Sequence, residues 1–300
     1  MEKNQLIYVI ETARCGSITR AAEKLHLSQP SLSNQIIQLE RELGVPLFER
    51  FHKRIQLTPA GEVFVREAEP IIQNMASLKK HMEEFADQTR GSLRLGALSI
   101  MCSLGIPEFI ASFRQKHLGL EVYLTESGSA SLLQDVQENR LDAAFVILRP
   151  DLSLADDFTS LLLGQSETLV ALPSTWCIPS MSSVTLEQLA QYPLIATSNL
   201  FNMSRLIFAQ MDAAGLRYTL SCSCSQIDSC LSLVSKEMGV TFCSRKTAEY
   251  YHYPNIRLLP FSPQILRKIY LVYHKDPAYY PVLRLFLQEL EPLIAAGTFN

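Results

Sequence analysis

No stretch of this sequence is apolar for long enough to span a bilayer, although 47% of its 300 residues are hydrophobic, ample for packed cores. The first residues, Met-Glu-Lys-Asn-Gln, lack the apolar run of a secretory signal, so a cytoplasmic protein is expected. Catalytic signatures are missing as well. There is no phosphate-cradling Walker loop, no dinucleotide-binding glycine pattern, no nucleophile elbow and no His-Glu-x-x-His helix. The six histidines are scattered, and an enzyme is not expected. Cys15, Cys102, Cys177, Cys222, Cys224, Cys230 and Cys243 form no C-x-x-C pairs and have no histidines at zinc-site spacing. They read as buried free thiols, with no metal and no cofactor, and Cys222 and Cys224 share one face of a strand. The run Tyr250-Tyr251-His252-Tyr253 reads as a partly buried surface loop.

Net charge is small too, at −3, but it is unevenly spread. Residues 14–54 hold seven Lys/Arg against four Asp/Glu, a surplus of +3, and residues 91–300 hold fifteen against eighteen, or −3. The positive surplus coincides with the most informative segment of the chain. A helix over about 3–14 carries Leu6, Val9, Ile10 and Ala13 on one face, and Gly16 closes it. A short helix over about 18–25 buries Ala21, Ala22 and Leu25, and His26-Leu27-Ser28 forms the turn. Ser28 then caps a third helix, with Pro30 in its first turn, buried Leu32, Ile36, Leu39 and Leu43, and Gly44 at its end. Its early outward positions are Gln29, Ser31, Ser33, Asn34 and Gln35. An ordinary solvated face would carry Lys and Glu there. Uncharged donors and acceptors instead suit base edges in a major groove. Arg50, Lys53 and Arg54, between two short strands, read as a basic wing that sits on phosphate or in a minor groove.

Residues 1–60 resemble the winged helix-turn-helix of LysR-type transcriptional regulators. The resemblance rests on Gly16-Ser17, Ala21-Ala22, Leu25, Ser28-Gln29-Pro30-Ser31-Leu32-Ser33, Leu39-Glu40, the run from Leu43 to Arg50, and Leu57-Thr58-Pro59-Ala60-Gly61. It places a DNA-binding domain at 1–58 with the helix-turn-helix at 18–37. The candidate DNA-contacting residues are Ser17, Arg20, Ser28, Gln29, Pro30, Ser31, Ser33, Asn34, Gln35, Arg50, Lys53, Arg54 and Thr58. The modest local charge predicts moderate non-specific affinity with marked salt dependence.

Thr58-Pro59 starts another helix, in which Phe64, Ala68, Ile71, Met75, Leu78, Met82 and Phe85 recur at alternating spacings of four and three. Three unbroken heptads predict a helix–helix seam over 59–87, and a helix of that span is roughly 43 Å long. Pro70 lies inside it and predicts a bend near 66–70. In the resembled family this segment is the dimerising linker.

After a polar hinge at 88–92, strands and helices alternate to the end, which predicts mainly parallel sheets with helices on both faces. The resemblance implies a periplasmic-binding-protein-like (type 2) effector domain over 92–300, in an α/β chain whose amino-terminal domain is all-α. Subdomain one would hold 92–163 and 267–300, and subdomain two 164–266, with crossings near 163–166 and 263–267. Ligands in such sheets sit beyond the carboxyl ends of strands, against helix starts. The candidate effector-binding residues from the first half are Ser99, Met101, Cys102, Ser103, Gly128 and Ser129. From the second half they are Thr197, Ser198, Asn199, Ser204, Arg205 and Ser225. Hydroxyls and helix ends favour a small carboxylate or a similar polar metabolite, with Arg205 as the counter-charge and Met101 and Cys102 as an apolar side. Some members of the family sense peroxide through a cysteine pair in subdomain two, and no such pair occurs in 198–212. The resemblance implies a homodimer or homotetramer on double-stranded promoter DNA, a small-molecule effector and RNA polymerase as a further partner.

Overall fold

The computed structural model describes residues 1–51, 54–86, 90–148, 154–176, 182–197, 203–276 and 280–299. The chain forms two units, Met1–Met82 and Glu83–Asn300.

The first unit begins with α1 (Lys3–Cys15), α2 (Ile18–Lys24) and α3 (Gln29–Leu43). β1 (Phe48–Phe51) and β2 (Arg54–Leu57) pair antiparallel, and α4 (Pro59–Ala86) follows. Local chemistry sets each boundary. Gly16 and Gly44 end α1 and α3 in the left-handed region, at φ 57° and 73°, where a side chain would be strained. The Ser17 hydroxyl accepts the Arg20 N–H at 3.4 Å to start α2, and the Ser28 hydroxyl accepts the Ser31 N–H at 3.2 Å to start α3. Val9, Ala21, Ala22, Leu32, Ile36, Leu39 and Leu47 close into one core. Leu43 is a correction: it is exposed, because the last turn of α3 carries it past that core.

The Glu40 carboxylate accepts the N–H groups of Leu47 (2.7 Å) and Phe48 (3.1 Å), fastening the start of β1 to α3. Thr58 does the same for α4. Its hydroxyl donates to the Pro46 carbonyl at 2.7 Å and accepts the Gly61 N–H at 3.0 Å. A Cβ on Gly61 would lie 2.0 Å from the Leu47 carbonyl oxygen, so only glycine lets the two backbones meet.

α4 runs unbroken through Pro70. Its apolar stripe divides in two, which corrects the expectation of one continuous seam. Ala68 packs in a cluster with Leu6 and Ile10, and Phe64 lies partly buried against the same residues. Ile71, Met75, Leu78, Met82 and Phe85 stay between 42% and 61% exposed, although they are large and apolar. The exposed part of the stripe therefore starts at Ile71.

The second unit opens with β3 (Gly91–Ala97), a 3-10 turn (Met101–Leu104), α5 (Ile106–Lys116), β4 (Leu120–Glu126), α6 (Ser129–Gln137) and β5 (Ala143–Ile147). β6 (Phe158–Glu167), β7 (Leu169–Pro173), β8 (Val184–Thr185) and α7 (Leu186–Leu189) follow. Next come β9 (Pro193–Thr197), α8 (Met203–Ala213), β10 (Thr219–Cys224), α9 (Ile227–Val234), β11 (Thr241–Cys243) and α10 (Arg245–Tyr251). The chain closes with β12 (Ile256–Ser262), β13 (Leu266–His274) and α11 (Pro281–Ala295). One sheet has the order β4-β3-β5-β13-β6, and a second has β11-β7-β12-β8, beside a β10-β9 pair.

The sheets are mixed rather than mainly parallel. Strands joined through a helix, such as β3 and β4 or β9 and β10, are parallel, as a helical crossover requires. The strands next to the crossings pair antiparallel: β13 with β5 and β6, and β7 with β11 and β12. The first crossing also lies later than 163–166. β6 stays paired with β13 through Glu167, so the chain changes sheets at Thr168 and returns at 263–265. The two crossings touch: the Thr168 N–H donates to the Ile265 carbonyl at 2.9 Å. Phe113, Phe145 and Phe286 pack edge to face in the core of the first subdomain, with ring centroids 5.2 Å apart for Phe113–Phe286 and 6.4 Å for Phe145–Phe286. Tyr250 and Tyr251 end helix α10 rather than lying in a loop.

Candidate functional site

On α3, Gln29, Pro30, Ser31 and Asn34 are exposed, and Ser33 and Gln35 are partly so. The hydroxyls of Ser17, Ser28 and Thr58 are occupied by backbone caps, whereas the amides of Gln29 and Asn34 make no such cap. Arg20 is exposed and donates to the Cys15 carbonyl. Lys53 and the side chains of Arg50 and Arg54 lie outside the described residues. The local positive surplus is also partly committed. Lys24 pairs with Glu11 at 2.5 Å and holds that carboxyl below its ordinary range, and Arg14 pairs with Glu69 at 2.8 Å.

The second unit gathers its strand ends along two edges. β3, β4 and β5 are parallel, so Ala97, Glu126 and Ile147 end at one edge. β9 runs parallel to β10, and Leu194 bridges Val240 in parallel just before β11, so Thr197, Cys224 and Cys243 also share an edge. A hydrogen-bonded chain of hydroxyls links the two subdomains. Ser103 Oγ donates to the Ile100 carbonyl at 2.7 Å and lies 3.2 Å from Thr247 Oγ1, itself 2.8 Å from Ser244 Oγ. Of the expected residues, Ser99, Met101 and Cys102 are partly buried at the first edge. Ser129 is buried, its hydroxyl accepting the Ile147 N–H at 3.1 Å, and Gly128 precedes it at the start of α6. Thr197 closes β9, Ser204 is buried in α8, and Ser225 and Arg205 are exposed. Ser198 and Asn199 lie outside the described residues. A separate recess of about 130 Å³ is lined by Leu231, Ala248, His252, Tyr253 and Leu258, and none of the expected effector residues borders it.

Two cleft features escaped the sequence reading. Thr247 lies in α10 and Ser244 caps its start, a helix that the Tyr250–Tyr253 run disguised as a loop. Arg267, at the start of β13, carries the other charge. Its signal was alternation, since Arg267 shares the inward parity of Ile269 and Leu271, which are buried.

Cys222 and Cys224 sulfurs stand 3.8 Å apart, while burial pushes the Cys230 and Cys243 thiols up to about 12. Protonated thiols are weak nucleophiles and weak metal ligands. No cluster of three or more His, Cys, Asp or Glu suited to a metal occurs among the described residues, and Cys177 lies outside them. No helix among the described residues is long and apolar enough to cross a membrane.

Comparison with known proteins covers nearly the whole chain. The family model described as the LysR substrate binding domain matches residues 86–293, and that of the bacterial regulatory helix-turn-helix protein, lysR family, matches 4–62. The HTH-type transcriptional regulator CysB of Burkholderia cenocepacia is 27% identical over 297 residues, 98% of this chain and 93% of CysB. An uncharacterized HTH-type transcriptional regulator of Bacillus subtilis, YcgK, is 28% identical over 260 residues, 80% of this chain and 79% of its own. Among solved structures, full-length CbnR in complex with its target DNA superposes with a TM-score of 0.71 at 20% identity, covering 97% of this chain and 99% of CbnR.

Proposed function

Because the chain belongs to the LysR family of DNA-binding transcriptional regulators, we propose that it reads promoter DNA with α3 and makes that reading depend on a small metabolite held between its two α/β subdomains. The observation that carries this is the exposed amide face of α3, where Gln29 and Asn34 remain unengaged while neighbouring hydroxyls cap helices. Asn and Gln pair bidentately with adenine in a major groove, so this face supplies sequence specificity, and the basic wing around Arg50, Lys53 and Arg54 supplies affinity.

The exposed stripe from Ile71 to Phe85 joins two copies, so each dimer presents two recognition helices. A dimer of dimers and contact with RNA polymerase complete the assembly. The metabolite sits where the strand ends and the Ser103–Thr247–Ser244 chain converge, and it acts by binding one subdomain arrangement more tightly than another. The chain is non-catalytic: its ligand is bound and released unchanged, in the cytoplasm.

Footprinting of the full-length protein on the DNA upstream of its own gene tests this reading. The expected result is protection of an interrupted inverted repeat with half-sites roughly 34 Å apart, or a multiple of that. Protection with no sequence preference would overturn it.

A further inference from the structure

β10 brings two thiols together. Cys222 and Cys224 lie two residues apart on an extended strand, so their side chains project from the same face. Their sulfurs stand 3.8 Å apart, and both residues are only partly buried. Among the described residues β10 pairs with β9 alone, and a bulge interrupts that pairing between Leu220 and Cys222. The pair therefore sits on a sheet edge, within reach of solvent, where the backbone can adjust.

Two magnitudes decide what such a pair can do. A disulfide needs its Cβ atoms about 3.5–4.5 Å apart. Alternate residues of a strand are spaced about 6.6 Å with their Cα–Cβ bonds parallel, so a Cys222–Cys224 disulfide would require β10 to break. A metal between the sulfurs adds two bonds of about 2.3 Å each and spans a gap of up to about 4.6 Å. The observed 3.8 Å lies within that reach, and a small rotation of the two side chains opens it to a linear arrangement. Two thiolates form a complete ligand set only for soft cations that accept twofold coordination, such as Cu(I) and Ag(I). Zinc takes four ligands, and no cluster of three or more His, Cys, Asp or Glu suited to a metal occurs among the described residues. The next thiol, Cys230 on α9, is buried and donates to the Ala196 carbonyl at 3.6 Å.

We propose that Cys222 and Cys224 form a two-thiolate site for a soft, thiophilic cation of the Cu(I) type. Loading exchanges two S–H protons for one cation, so protons are released and no electrons move. Such a site is additional to any metabolite held between the subdomains and does not depend on it. The cysteines are then not all the metal-free thiols that their spacing predicts.

Anaerobic titration of the full-length protein with Cu(I), supplied as its bicinchoninate complex, tests the site. The expected result is transfer of one Cu(I) per chain, with a saturable rise in the thermal midpoint and no comparable effect of Zn(II). X-ray absorption should find two sulfur neighbours around the copper. Cys222→Ser and Cys224→Ser should each weaken retention by more than about a hundredfold, beyond the loss that follows removal of an outer-shell partner, while keeping the metal-free midpoint. Cys15→Ser, in the first unit, should retain Cu(I) unchanged. Failure to withdraw Cu(I) from bicinchoninate, undiminished retention in the two β10 variants, or equal affinity for Zn(II) would overturn the proposal. So would three or more copper neighbours, or a nitrogen or oxygen among them, and this readout decides alone if the variants unfold. A Cys222–Cys224 disulfide found by peptide mass spectrometry after mild peroxide treatment would overturn it in favour of a redox pair. The footprint of the metal-free protein is untouched by either result, so failure here leaves the regulator reading standing.

Discussion

Two arginines of one five-stranded sheet live in opposite circumstances. Arg94, on β3, reaches the amino end of β5, where its guanidinium meets Asp142 Oδ1 at 2.7 Å and its backbone N–H meets Oδ2 at 2.7 Å. Asp142 returns its own N–H to the Arg94 carbonyl at 2.8 Å, and its carboxylate is only 3% exposed. Arg267, at the carboxyl end, has no such carboxylate among the described residues. The amino end of the sheet is closed by its own chemistry, and the described residues offer no such closure at the carboxyl end. The first unit repeats the contrast, with Ser28 engaged in a cap and Asn34 turned outward. Polar groups committed to the fold and polar groups kept for a partner lie within a few residues of each other.

Mutations can break this contrast at its committed side first. Asp142→Ala removes the buried carboxylate that holds both the guanidinium and the backbone N–H of Arg94 and should destabilise the second unit by about 3 kcal/mol, read by denaturant unfolding. Next in size is Asn34→Ala, expected to weaken specific DNA binding by about 1–3 kcal/mol and to relax preference at one base position while leaving stability unchanged, seen by competition gel shift. Ser28→Ala should invert that pattern. About 1 kcal/mol of stability is lost with the cap, and base preference is retained once the protein is folded.

The smallest effect concerns pH. His274 lies against Phe158 and Tyr280, with Nε2 2.8 Å from Asn139 Oδ1, and burial lowers its pKa from 6.5 despite the pull of Asp157 and Asp142. Its neutral form is favoured in the folded state, so the unfolded chain takes up the proton first. Stability should therefore fall as pH drops below 6.5 toward the lowered folded value, and His274→Gln should flatten that slope in pH-dependent melts.

Where a feature is local, periodicity sufficed to read it. Leu6, Val9 and Ile10, then Leu32, Ile36 and Leu39, are buried where the spacing put them, and the glycine and serine helix boundaries lie where the caps predicted. Long-range competition explains the rest. Phe64 and Ala68 keep heptad spacing but are claimed by α1, a neighbour that spacing along α4 cannot reveal. The first crossing moved to Thr168 because β6 gains its last pairs from β13, about a hundred residues later in the chain. Arg205 looked suited to the cleft because it follows serines in the chain, and Arg267 went unnoticed as a single charge in a strand. Only sheet register brings Arg267 to the carboxyl edge.

The contact between Thr168 and Ile265 limits what the cleft can do. The chain passes twice between the subdomains, and the Thr168 carbonyl also accepts the Phe261 N–H at 3.4 Å, so the two passages are stitched into one strip. Two separate tethers would let the halves slide and twist independently. A stitched strip leaves essentially a single coordinate, the angle of a door on one hinge pin. Whatever ligand enters can report only by choosing a value on that dial, so ligands of different shape but equal preferred angle should be indistinguishable to the promoter.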